Sequence, residues 1–376
     1  MGTSTKTNVS SDVHRRAIIV DGHCDTPYRL HRHNVHIDEH DTEAQLDLRS
    51  LQESGITASF FASYVPPFYA NRGAAAFAFR LIDIIEEEVR RHPDALTLCT
   101  DSAGIRRAKA EAKAAIMIGV EGGHAIEDSL ETLEQLYARG ARYLTLTHVN
   151  TNNWCDSSGD AARHGGITDF GREVVRRMND LGMIVDISHV SDAAFFHVIE
   201  TTRTPIVATH SSCRALCRHP RNMTDEMLRT LANNGGVCMI NFFAAFVNDD
   251  VAQAVMGATK RPKKLDEGGT EEMPNDATDW DSYLQWFRTL GCPVAKFDDV
   301  VDHILHAVNV AGADHVGIGS DFDGVPSLPR GLETAAGLPA LTARLMERGM
   351  SDADVEKVLG GNFMRAFGEI ERARKS

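Results

Sequence analysis

In the stretch AIIVDGHCDTP an apolar run stops, and His23 and Asp25 follow two positions apart. In an extended chain residues i and i+2 share a face, so the two side chains can reach one point. A divalent metal suits that pair, and so does a plain His–Asp hydrogen bond; the spacing alone does not choose. Further along, Glu121 in GVEGG, His148 in TLTHVN, His189 in DISH, His210 in ATHSS and Asp321 in GSDFDG each close an apolar run of their own. Singly, each has an ordinary reading as a loop charge, a helix-entry histidine or a turn former. Together, at the ends of separate runs, they argue for a metal site. One zinc takes about four ligands, whereas His23, Asp25, Glu121, His189 and His210 are five. A carboxylate shared between two ions would use all of them. Such a pair, about 3.5–4 Å apart, makes hydroxide at neutral pH and clamps the oxygens of a tetrahedral intermediate. Asp321 is then left over to accept and return a proton.

The elements that must position these groups are short apolar runs alternating with amphipathic stretches. Strands are predicted over 17–23, 56–65, 115–123, 142–148, 182–189, 205–211, 236–243 and 315–322. Between them lie helical patterns such as ITDFGREVVRRMNDLG and TDEMLRTLANNG, opened by Ser, Thr or Asp and closed by Gly. Near-continuous apolar strands alternating with helices mean a parallel sheet covered on both faces. Eight such strands close a (β/α)8 TIM-type barrel, an α/β fold whose active sites sit where the strands end. A doubly wound open sheet would announce itself with G-x-G-x-x-G, and VDGHCDT lacks it. Residues 1–16 are expected to be a flexible tail, and 17–376 one domain. Insertions are expected at about 66–112 and 246–296, the second a polar, Gly- and Pro-bearing excursion.

The 376-residue chain is 43% hydrophobic and 24% charged, a globular composition. Its formal charge of −14, without a basic block, excludes nucleic acid as a natural partner. Seven scattered cysteines in no even pattern point to a reducing compartment. Cys213, Cys217 and His219 fall close together, but no second cysteine pair completes a structural zinc site. The polar opening MGTSTKTNVSSDVHRR has no apolar core for a secretory signal, and Lys6 breaks the myristoylation pattern. No run approaches the eighteen apolar residues of a membrane span. A cytoplasmic location without membrane contact is the expectation.

The ordered motifs DGHCDT, GVEGG, YLTLTH.N..W.D, DISH, ATHSS, RHPRN, GIGSDFDG and GGNFMRAF resemble the membrane dipeptidase (renal dipeptidase) family of the amidohydrolase superfamily, from about residue 17 to 368. The resemblance implies a dipeptidase with two Zn2+ per chain: His23 and Asp25 on the first, His189 and His210 on the second, Glu121 bridging them. It implies that His148 hydrogen-bonds the scissile carbonyl oxygen and that Arg221 grips the substrate's terminal carboxylate. Asp321 would carry the proton from the bridging water to the leaving amine. It further implies a homodimer, and tolerance of a D-residue on the carboxyl side. The secretion, disulfides and lipid anchor of animal relatives are not carried over, and Phe243 stands where some relatives have tyrosine. Two rivals stay open: another amidohydrolase activity, such as a lactonase or deaminase, and a non-catalytic metal-binding barrel.

Overall fold

The apolar runs form parallel strands because they are buried on both faces, and the strands close into a ring. The structure, a computed structural model, describes residues 3–258 and 276–375. Its strands are β1 (Val20–Cys24), β2 (Ala58–Tyr64), β3 (Leu96–Leu98), β4 (Ala114–Glu121), β5 (Ala141–Thr145), β6 (Ile184–Asp186), β7 (Val207–Ser211), β8 (Val237–Ile240) and β9 (Val316–Ile318). Eight of them make the expected barrel, in the order β1-β2-β4-β5-β6-β7-β8-β9 and back to β1. The long β2–β4 ladder runs from Ala58–Ala115 to Tyr64–Glu121, and Asp21 pairs with Ile318 across β1–β9. The ninth, β3, lies outside the ring. It pairs with the first residues of β4, Leu96 with Ala114 through Leu98 with Ile116, before β5 takes over that edge at Ile118.

The interior of the ring holds Val20, Phe60, Met117, Tyr143, Ile184 and Met239, with Phe363 and Phe367 of the last helix (Asn362–Arg372) packed against them. The larger apolar cluster lies between the strands and the surrounding helices. Several of those helices start where the side chain of Thr168, Ser191 or Thr224 accepts a backbone N–H three residues on. Each such cap is worth about 1 kcal/mol.

Two expectations change. The strands are shorter than their apolar runs, so His148, His189 and Asp321 lie in loops, three residues beyond the ends of β5, β6 and β9. The N-terminal segment is not a flexible tail: Thr3–Arg16 is helical, and Val13 and His14 are buried. His14 holds it down, with Nδ1 2.7 Å from Thr342 Oγ1 and Nε2 2.8 Å from the Ser54 carbonyl. Of the two insertions, the first contains the helices Ala74–Arg91 and Ser102–Ala110 around β3. The second begins with short helices at Ala244–Val247 and Asp249–Gly257 and ends with Asp276–Thr289; its residues 259–275 lie outside the described part.

Candidate metal centre

The strand ends bring the predicted residues together. His23 lies within β1 and is fully buried. Asp25 follows at the N-cap position of the helix Thr26–His33, yet makes no capping hydrogen bond. Instead its Oδ2 lies 3.4 Å from His23 Nε2, while its Oδ1 and His23 Nε2 are buried atoms without a hydrogen-bond partner. Glu121 ends β4, and its two oxygens face different neighbours. Oε2 is 3.6 Å from His23 Nε2; Oε1 is 3.0 Å from His189 Nε2 and 3.2 Å from His210 Nε2. His148 Nε2 is 3.9 Å from the same Oε1. Asp321 closes the other side, its Oδ1 3.8 Å from His23 Nε2.

Electrostatics explains why this cluster fits a cation. Burial would lower the pKa of His23, but the charges of Glu121 and Asp25 push it up to about 10. Burial raises Glu121 well above the ordinary carboxylate range and raises Asp321. Burial also takes His189 and His210 well below the usual imidazole value, leaving the neutral form that ligates metals. Carboxylate and imidazole ligand atoms crowd together here, and two buried atoms lack any hydrogen bond. Divalent cations resolve that conflict, so the residues fit the metal their types predicted. His148 also belongs to this set, grouped with Glu121 and His189.

His189 and Asp321 both adopt left-handed backbone, at φ 69° and 66°. For non-glycine residues that costs on the order of 1–3 kcal/mol and persists only where the surroundings enforce it. Here they do: the Ser158 amide donates to the His189 carbonyl at 2.8 Å, and the Asp321 amide to the His23 carbonyl at 3.0 Å.

Above the cluster opens a cavity of about 510 Å³, lined by Asp25, Glu121, His148, His189, Arg221 and Asp321 together with Tyr28, Tyr64, Phe243, Phe246, Trp280 and Tyr283. Its size suits a small-molecule ligand. Arg221 is buried. Its Nη1 donates to Ser211 Oγ at 2.7 Å and its Nη2 to the His210 carbonyl at 2.8 Å, while Nε has no hydrogen-bond partner. Burial lowers its pKa to about 10, which leaves it charged at neutral pH.

Sequence reasoning missed the groups that steady the cluster. Tyr143 Oη lies 2.7 Å from His23 Nδ1, and Asn241 Nδ2 donates to Asp321 Oδ2 at 2.8 Å. Asn241 stands in MINFF at the end of a predicted strand, a place that could have marked it. Tyr28 and Tyr64, edge to face with ring centroids 5.1 Å apart, are further cavity residues that no motif marked. Cys213, Cys217 and His219 do not form a metal-ligating group; the cysteine thiols donate to the carbonyls of His303 and Ala245. A further grouping, Asp38, Glu88 and His92, is tied up elsewhere: Glu88 already binds His36 Nδ1 at 2.6 Å and the Ile37 amide at 3.0 Å.

The sequence profile of the membrane dipeptidase family, peptidase family M19, matches residues 8–376. Among solved structures, the probable dipeptidase PvdM from Pseudomonas aeruginosa is 28% identical with a TM-score of 0.83, covering 99% of this chain and 100% of its own. A metallopeptidase described as dipeptidase AC is 25% identical with a TM-score of 0.76, covering 96% of this chain and 99% of its own. A metallopeptidase from Rhodobacter sphaeroides, solved with a phosphinate mimic of the dipeptide L-Ala-D-Ala, is 24% identical with a TM-score of 0.76. It covers 94% of this chain and 99% of its own, and shares the fold.

Proposed function

Because the chain belongs to the membrane dipeptidase family and is thus a metal-dependent dipeptidase, we propose that it hydrolyses dipeptides bearing a free carboxylate with two zinc ions. His23 and Asp25 would hold one ion, His189 and His210 the other, with Glu121 between them. The observation that carries this reading is the division of the Glu121 carboxylate, Oε2 toward His23 and Oε1 toward His189 and His210. Bound divalent ions supply an acidified water and a Lewis acid for the carbonyl.

The chain's own groups do the rest. Asp321 takes a proton from the attacking water and returns it to the leaving amine. Asn241 occupies its Oδ2, so Oδ1 is the oxygen free for that exchange. His148 donates a hydrogen bond to the carbonyl oxygen as negative charge grows there. Arg221 receives the terminal carboxylate with Nε–H and a remaining terminal N–H, two of its five donors being fixed on Ser211 and His210. A buried guanidinium with an unused donor favours this substrate over an uncharged lactone or nucleobase. A protein of the same fold was solved with a phosphinate mimic of L-Ala-D-Ala, which supports including dipeptides with a carboxyl-side D-residue in the substrate set. Seven free thiols, six of them buried, support a reducing compartment such as the cytoplasm.

The test compares free and C-terminally amidated dipeptides in the wild type and in Arg221→Met, with metal analysis of each sample. Losing a buried partner for a charge costs about 2–5 kcal/mol, or roughly thirty- to several-thousand-fold in kcat/KM. The variant should lose that factor on free dipeptides and little on amidated ones. A wild type indifferent to amidation, or an equal loss on both substrates, refutes the carboxylate clamp.

A further inference from the structure

Behind His189 and His210 lies a buried carboxylate that the ligand count leaves out. Asp186 is the last residue of β6 and is fully buried. Its Oδ1 accepts the backbone N–H groups of Ser188 and Thr209, each at 3.0 Å. Its Oδ2 accepts the hydroxyls of Thr145 at 2.6 Å and Thr209 at 2.8 Å. The Thr209 hydroxyl in turn lies 2.8 Å from Nδ1 of His210.

Proton counting sets the direction of this chain. A hydroxyl carries one hydrogen, and an ionised carboxylate can only accept. Thr209 therefore donates to Asp186, and its oxygen is left to accept from His210 Nδ1–H. The proton on Nδ1 leaves the Nε2 lone pair bare, 3.2 Å from Glu121 Oε1. That is the tautomer a metal requires.

The same carboxylate also holds the neighbouring ligand's loop. It binds the Ser188 amide, Ser188 Oγ accepts from the His210 amide at 3.0 Å, and His189 comes next in its left-handed conformation. His23 is backed by a different device, the Tyr143 hydroxyl at 2.7 Å.

We propose that Asp186, acting through Thr209, is a positioning group that fixes the tautomer and aim of His210. It thereby sets the affinity of the ion held by His189 and His210, separately from the ion on His23 and Asp25. The proposal rests on the two-ion reading above.

The experiment titrates metal-stripped protein with Zn2+ or Co2+ and resolves the stepwise dissociation constants, alongside thermal unfolding of the stripped protein. Thr209→Val removes the relay at nearly constant shape, and Thr209→Ser restores the hydroxyl. Thr145→Val is the control, because Thr145 binds the same carboxylate oxygen without a hydrogen bond to His210. Partners behind a metal ligand are worth roughly ten- to hundredfold in affinity. Thr209→Val should weaken one step by that factor and leave the other, Thr209→Ser should bind as the wild type does, and Thr145→Val should lower stability alone.

Asp186→Asn is the second variant, decisive should Thr209→Val not fold. Without the charge, the Thr209 hydrogen has His210 Nδ1 as its nearest acceptor, which drives the imidazole proton to Nε2. The same single step should weaken. Two wild-type steps unmoved in Thr209→Val or Asp186→Asn overturn the proposal alone. So does a Thr145→Val or Thr209→Ser protein that weakens as much as Thr209→Val. A wild type that takes up only one ion overturns the two-ion function and this proposal together.

Discussion

Asp321 shows how much of this site is decided by single atoms. One of its oxygens is held by Asn241 and the other faces His23 at 3.8 Å, and burial raises its pKa in the direction that a proton acceptor working near neutrality needs. Asp321→Asn keeps the shape and removes the basicity. Turnover should fall about 10²–10⁴-fold with metal content unchanged. Near wild-type kcat would remove Asp321 from the proton path, and loss of one ion would make it a ligand instead. The clustering of His23, Asp25, Glu121, His189 and His210 was legible in the sequence because metal ligation admits few residue types. Tyr143, Asn241 and Asp186 were not. A partner behind a ligand needs only a donor or acceptor, which many residue types supply, so no short pattern marks it.

At the scale of the elements, barrel closure was legible from eight apolar runs, but the strand limits were not. GMIVDISH stays apolar almost to His189, yet pairing stops at Asp186, whose carboxylate takes the amides of Ser188 and Thr209 and turns the chain. β3 has three residues, too few to show a period, and it exists because the start of β4 offers it an edge. The opening helix looked like a tail because it has so few apolar residues; Val13 and His14 suffice to dock it. One glycine connects strand packing to the metal centre. A Cβ on Gly119 of β4 would lie 1.9 Å from Cζ of Tyr143, inside a ring that is itself fully buried. Gly119→Ala must push Tyr143 away from His23, and overpacking of this kind costs about 1–3 kcal/mol or more. Calorimetry should show a lower Tm, and the purified variant should carry less metal. A protein with wild-type Tm and metal content would show that the barrel interior yields more easily than its contacts indicate.

For the whole molecule, buried histidines outside the metal centre contribute to the response to acid. His303 accepts the Cys213 amide at Nδ1, 3.0 Å away, and its Nε2 lies 3.2 Å from the Val247 carbonyl. It thereby ties the helix Phe297–Ala311 to the loop after β7 and to the start of the second insertion. Burial lowers its pKa from 6.5 to about 4. Below pH 6.5 the unfolded chain gains a proton that the folded chain refuses until about pH 4. Stability is therefore full above pH 6.5 and drains as the pH falls toward 4. Between pH 7 and pH 5 this one group removes about 2 kcal/mol. His124, likewise lowered to about 4 by burial, adds to the loss. Urea unfolding at the two pH values should show a smaller drop in His303→Gln than in the wild type. Equal drops would clear His303 of the effect.

The peptide unit of His210 belongs to two tasks at once. Its carbonyl anchors the arginine proposed to read the substrate's charge, and its imidazole faces the glutamate proposed to join the two ions. A single rigid group is thus the common lever of recognition and chemistry. Sites joined in this way are thermodynamically linked, and linkage is reciprocal. To the extent that a seated carboxylate tightens the hold on the ion, the ion tightens the hold on the carboxylate by the same factor, and a stripped enzyme loses some of its sense of what a substrate is.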